Sequence, residues 1–161
     1  MNTISSLDVL AQLLAKVFSA GVAPRHADVS LLVFGDHWKD RELIRDLSGK
    51  DIGKLSDEWI CNHANYLGCL TANGLRLILP QFAIFSLRNI DSDVTDGVIA
   101  MLARLSGVSQ LGAEFRGLLT PEQIICFGRY VRDVETHYPM TRSMKPFFDD
   151  ALVNWSDTSR S

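Results

Sequence analysis

From Leu75 to Leu87 the chain is strongly apolar: Leu75, Leu77, Ile78, Leu79, Phe82, Ile84, Phe85 and Leu87 crowd a single stretch that Thr71 opens. A helix that is apolar all round needs neighbours all round, so this segment predicts a central helix enclosed by other helices. Pro80 lies in its middle. Without an N–H, and with a ring that crowds the carbonyl four residues back, it is expected to kink this helix or break it in two. The run from Leu75 to Leu87 is interrupted by Arg76, Pro80 and Gln81, and it falls short of the roughly 20 residues that span a bilayer. No membrane partner is expected.

Helix signals recur on both sides. Ser5 or Ser6 opens a first helix carrying Leu7, Leu10, Leu14, Val17 and Phe18, which Gly21 stops ahead of Pro24. Asp28 to Phe34 reads as either a strand or a buried helical turn; helix is preferred, because no nearby segment offers a strand to pair with. Asp36 to Lys54 is densely charged around Leu43, Ile44 and Leu47. It predicts a short exposed helix capped by Asp36 and ending in a loop at Ser48-Gly49. Ser56 caps the next helix, with Asp57 and Glu58 in its first turn, Trp59, Ile60, His63 and Leu67 facing inward and Gly68 closing it. Thr71 opens the central helix, and Asp91-Ser92-Asp93 opens another that Gly107 ends. Val108 to Leu119, with Gly112 and Gly117, reads as a loop. Thr120-Pro121-Glu122-Gln123 combines a capping box with proline at the first helical position. That helix ends near His137 before Pro139, and a last amphipathic helix spans about Lys145 to Trp155. The expectation is an all-α fold, a single compact multi-helix bundle over residues 1–155, with 156–161 as a frayed tail.

A chain of 161 residues suits one domain able to bury a core without metal or disulfide. Its net charge of −3 lacks the basic footprint of a general nucleic-acid binder, so none is expected. Cys61, Cys69 and Cys126 show no CxxC spacing and read as reduced, mostly packed thiols. The first residues carry no basic stretch followed by an apolar run, so no secretory signal is read and a cytoplasmic location is expected.

Several short blocks together resemble a family of small bacterial proteins catalogued as a domain of unknown function. They are Phe18-Ser19-Ala20-Gly21-Val22-Ala23-Pro24, Gly49-x-x-Ile52, Leu70-Thr71-Ala72-Asn73-Gly74-Leu75-Arg76, Leu79-Pro80-Gln81-Phe82 and Phe115-Arg116-x-Leu118-Leu119-Thr120-Pro121-Glu122-Gln123. The resemblance covers roughly residues 10–135 and leaves the last helix outside. It implies a bacterial origin and a helical fold, and it carries over no catalytic residue.

Chemistry-bearing residues are sparse. Cys61-x-His63 with Cys69 places three soft ligands close together, but no second pair repeats the spacing, so no metal site is expected. Asp36-His37 with Asp40 offers carboxylates beside a histidine, yet neighbouring side chains on a helix diverge by about 100° and the segment is too charged for a dry pocket. Cys126 and His137 lack a positive group to activate the thiol. Asp91-x-Asp93-x-x-Asp96 misses the glycine and terminal glutamate of a calcium loop and reads as a helix start. Glycines stand singly at helix ends, without a phosphate-loop pattern. No catalytic residue, metal or cofactor is therefore assigned.

What remains is surface. Trp38 stands among Asp36, His37, Lys39, Asp40, Arg41 and Glu42, and has two readings: tucked against the core, or the anchor of a protein contact. Trp155 has the same two. The functional expectation is a non-enzymatic protein-binding module, in concrete form a cytoplasmic immunity or inhibitor protein. It would meet a basic toxin domain through Asp36, Trp38, Asp40, Glu42, Asp57 and Glu58. The alternative is a small-ligand binder or enzyme with an inter-helix pocket lined by His63, Tyr66, Arg76 and Tyr130. A homodimer through the last helix is compatible with either.

Overall fold

The computed structural model describes residues 5–19, 28–138 and 143–157. Gly21, Pro24, Pro139 and the last four residues, to which helix ends and a tail were assigned, lie outside them. Among the described residues the α-helices are α1 (Ser6–Ser19), α2 (Trp38–Leu47), α3 (Asp57–Asn62), α4 (Ala72–Arg88), α5 (Asp93–Leu105), α6 (Gln110–Leu118), α7 (Pro121–His137) and α8 (Lys145–Asp157). Two 3-10 helices, Val29–Leu31 and Ala64–Cys69, join the smaller pieces. The fold is all-α.

Helix α4 is the axis. It packs against α1, α3, α5 and α6, while α7 closes on α1 and α8, and α8 also covers α5. Most of its apolar residues are enclosed: Leu75, Ile78, Leu79, Phe82, Ala83 and Leu87 are buried, while Leu77 and Ile84 are half-buried. Pro80 is buried too, and the helix runs through it as one element without dividing. A proline costs the helix one N–H donor, and packing of the buried residues on both sides of it holds the element together.

Local capping chemistry sets the helix starts. Thr120 Oγ1 accepts from the Gln123 N–H at 3.2 Å, and the Gln123 amide oxygen accepts from the Thr120 N–H at 2.9 Å. Buried Gln123 also reaches back to the Val17 carbonyl, tying α7 to the end of α1. Ser56 and Thr71 cap α3 and α4 as expected. Of the two readings of Trp155 the core one holds: the ring is buried and its Nε1 donates to the Leu102 carbonyl at 2.8 Å, fastening α8 to α5.

Four expectations are corrected. Val108 to Leu119 is not a loop but holds α6, which Ser109 caps through the Gly112 N–H. Gly112 is there for packing, since a Cβ on it would sit 2.6 Å from the Leu105 carbonyl oxygen. The helix begun by Ser56 stops at Asn62, and 3-10 turns continue to Cys69. Only the first half of Asp28 to Phe34 is helical. Val33 then bridges antiparallel to Leu70, with Phe34 N–H donating to Cys69 and Thr71 N–H to Leu32, so a pairing partner exists after all. Finally, α2 is capped by His37 in place of Asp36.

Candidate protein-binding surface

The start of α2 is built around Asp40. Its Oδ2 accepts from the backbone N–H groups of Asp36 and His37, each at 3.0 Å, while His37 Nδ1 accepts from the Lys39 N–H at 3.3 Å. This reciprocal cap draws Asp40 into the interior, where it is only 6% exposed. Burial opposes its charge. The His37 N–H, the Cys69 thiol and the Asp36 N–H outweigh that and hold its carboxyl below the usual range. The same contact, after burial, helps push the Cys69 thiol up to about 11, so this cysteine is no thiolate nucleophile. Asp40 is a structural cap and does not belong to an exposed face, contrary to the sequence reading.

Asp40, Leu43 and Leu47 mark the buried stripe of α2. Trp38 is two residues, and therefore about 200°, from Asp40, which turns its ring outward. It is 57% exposed. The His37 ring lies 5.6 Å away and Lys39 Nζ stands 5.8 Å from the indole centroid, within cation–π range. Leu31, at 65%, and Phe34, at 49%, are exposed on the 3-10 turn and extended link just ahead of it. The sequence reading missed these two, because it placed them in one undivided buried run.

The remaining acidic residues divide. Asp36 is exposed. Glu42 is already engaged, accepting from the Tyr66 hydroxyl at 2.7 Å and pairing with Arg45 at 3.6 Å. Asp57 and Glu58 are exposed on the first turn of α3, where Asp57 lines a separate cleft beside Lys54 and Arg88. The six residues named from sequence thus do not form one acidic surface around Trp38. The groups beside the Trp38 ring are the His37 imidazole and the Lys39 ammonium, neither of them acidic.

The other candidates are placed as plainly. His63 stacks on Trp59, with ring centroids 3.9 Å apart, and spends one ring nitrogen on the Trp59 carbonyl at 2.7 Å and the other on Asp46 at 3.0 Å. His63 and Tyr66 are neighbours, but the space they share with Leu43, Trp59 and Phe82 has no room for a water. Tyr130 lies elsewhere, fully buried and hydrogen-bonded to Ser86 at 2.6 Å. The four pocket residues named from sequence therefore do not converge. Burial pushes the Cys126 thiol up, and His137 is exposed with its Nδ1 on its own helix at the Asp133 carbonyl, so this pair builds no nucleophile. Asp96 accepts from the Tyr138 hydroxyl, and no His, Cys, Asp and Glu group among the described residues is arranged to hold a metal. On the last helix, offered for self-association, Phe148, Ala151 and Trp155 are buried in the chain's own core, while Phe147 is exposed. No helix among the described residues is long and apolar enough to cross a membrane.

Comparison with family models, curated proteins and solved structures finds no match to this chain.

Proposed function

We propose that this chain is a non-enzymatic protein-binding module, acting in the bacterial cytoplasm as an inhibitor or immunity protein for a toxin domain. The observation that carries the reading is the exposure of Trp38 together with Leu31 and Phe34, three large apolar side chains close in sequence on a protein whose other large side chains are mostly buried. Isolated exposed apolar residues are ordinary, but a tryptophan with apolar neighbours and a charged rim has the composition of an interaction hot spot. Free carboxylates at Asp36, Asp57 and Glu58, and a net charge of −3, favour a basic partner and would speed its approach. The resemblance to a bacterial family supplies the bacterial setting.

The test is genetic and then biochemical. Each gene neighbouring this one in its source genome is expressed alone and together with it. A neighbour that arrests growth alone, and is silenced by the wild type but not by Trp38→Ala, is the expected result. If no neighbour is toxic, or if Trp38→Ala protects as well as wild type, the proposal fails.

A further inference from the structure

We infer that the cleft between the loop ahead of α3 and the second half of α4 binds a small monoanionic carboxylate carrying a short apolar body. The cleft holds about 200 Å³, with Leu55, Ile60, Ile84 and Phe85 among its apolar walls and Lys54 and Arg88 as its cations. That is below the roughly 300–1,000 Å³ of sites for drug-sized ligands, so a nucleotide or large cofactor does not fit.

The cleft is built, not incidental. Gln81 reaches from α4 to fasten the loop: its Oε1 accepts from the Leu55 N–H at 2.8 Å, and its Nε2 donates to the Ile52 carbonyl at 2.7 Å and to the Leu77 carbonyl at 2.9 Å. All the hydrogens of this amide group are therefore spent on holding the wall in place; Asn89 donates to the Phe85 carbonyl, and Lys54 and Arg88 bring the positive charge. Those cations are free. Ion pairs among the described residues involve Arg45, His63, Arg129 and Lys145, while Lys54 and Arg88 make none, although Asp57 lines the same cleft. Two cations and one carboxylate leave a single positive charge, which matches a monoanion and disfavours a phosphate dianion. A neighbouring cleft of about 170 Å³ shares Lys54 and Leu55 and adds Ser56, Trp59, Lys50 and Asp51, the last two a pair of opposite charges that leaves the balance unchanged. An exposed guanidinium beside apolar walls suits a carboxylate with an aliphatic tail: the head is paired by Arg88 and Lys54, and the tail covers Leu55, Ile60 and Phe85.

Two sources share this chemistry, a free short-chain acid and the C-terminal carboxylate of a polypeptide ending in an aliphatic residue. Isovalerate is titrated into the ¹⁵N-labelled full chain. Saturable amide shifts at Leu55, Ile60, Ile84 and Phe85 are expected, with acetate at least about tenfold weaker for want of three carbons and isoamylamine, the same branched body with the opposite charge, inactive. The double variant Lys54→Met with Arg88→Met, both at exposed positions, should keep the rest of the spectrum and lose the shifts. The tripeptide Gly-Gly-Leu separates the sources: tighter binding than isovalerate assigns a polypeptide terminus, weaker binding a free acid. Absence of saturable shifts at tens of millimolar isovalerate overturns the inference. So does equal binding of isoamylamine, or unchanged binding by the double variant.

Discussion

Replacing Gln81 by leucine removes the side-chain hydrogen bonds that tie the loop ahead of α3 to the central helix. The substitution conserves bulk but deletes a donor and an acceptor. It strands the Leu55 N–H and the Ile52 carbonyl, both on buried residues. The Leu77 carbonyl is less affected, because the helix ladder also uses it. Each stranded buried group costs about 1–3 kcal/mol. The adjoining cleft lets water reach them in part, so the low end applies and the total comes to about 2–3 kcal/mol. For a domain of this size about 1 kcal/mol moves Tm by roughly 2–4 °C, which gives a fall of roughly 4–12 °C by circular dichroism. Gln81→Glu keeps the acceptor for Leu55 but sets a carboxylate oxygen against the Ile52 and Leu77 carbonyls, and at neutral pH should cost at least as much as leucine. A loss below about 2 °C for Gln81→Leu, or glutamate as stable as wild type at neutral pH, would refute the bracing role.

Other perturbations report on separate joints. Trp155→Phe keeps most of the buried ring but loses the indole bond to the Leu102 carbonyl, which still accepts from the Ser106 N–H, and should cost about 0.5–1.5 kcal/mol in urea unfolding; Trp155→Ala should cost about 3–5 kcal/mol. At Gly128 a Cβ would stand 2.7 Å from the Trp155 carbonyl oxygen, so Gly128→Ala should lower Tm and speed amide exchange in α8 before the rest of the chain. The hydrogen bond from His63 holds the Asp46 carboxyl below the usual range. A depressed folded value adds stability above the unfolded pKa and loses it as pH falls through the folded one, so Asp46→Asn should be less stable than wild type near neutrality and show a smaller further loss below about pH 4. An unchanged acid limb in that variant would contradict the pairing.

Much of the fold is legible in the sequence where the signal is local. Thr120 to Gln123, Ser56 and Thr71 announce helix starts because capping uses residues within one turn, and the apolar surround of α4 announces its central place. Failures begin where the deciding contact is distant. Gly112 looks like a breaker until Leu105 is seen against it, and Val33 looks unpaired until Leu70 arrives from beyond two helices. At the candidate surface, composition suggested one acidic face, yet a carboxylate does not show in its type whether it caps, pairs or stays free. Asp40 caps, Glu42 pairs and Asp36 is exposed. The outward turn of Trp38 was readable: once Leu43 and Leu47 define the inner stripe, helical geometry places position 38 away from it. Gln81 could not be read, because its partners lie in a loop that the sequence leaves shapeless.

The central claim is that Trp38 serves a partner and not the fold. Isothermal titration of the neutralised toxin domain into wild type and Trp38→Ala, with urea unfolding of each, tests it most directly. The account predicts a loss of at least about 2 kcal/mol in binding, near thirtyfold in Kd, with stability within about 0.5 kcal/mol of wild type. Equal affinities, or a loss of stability that accounts for the loss of binding, would contradict it.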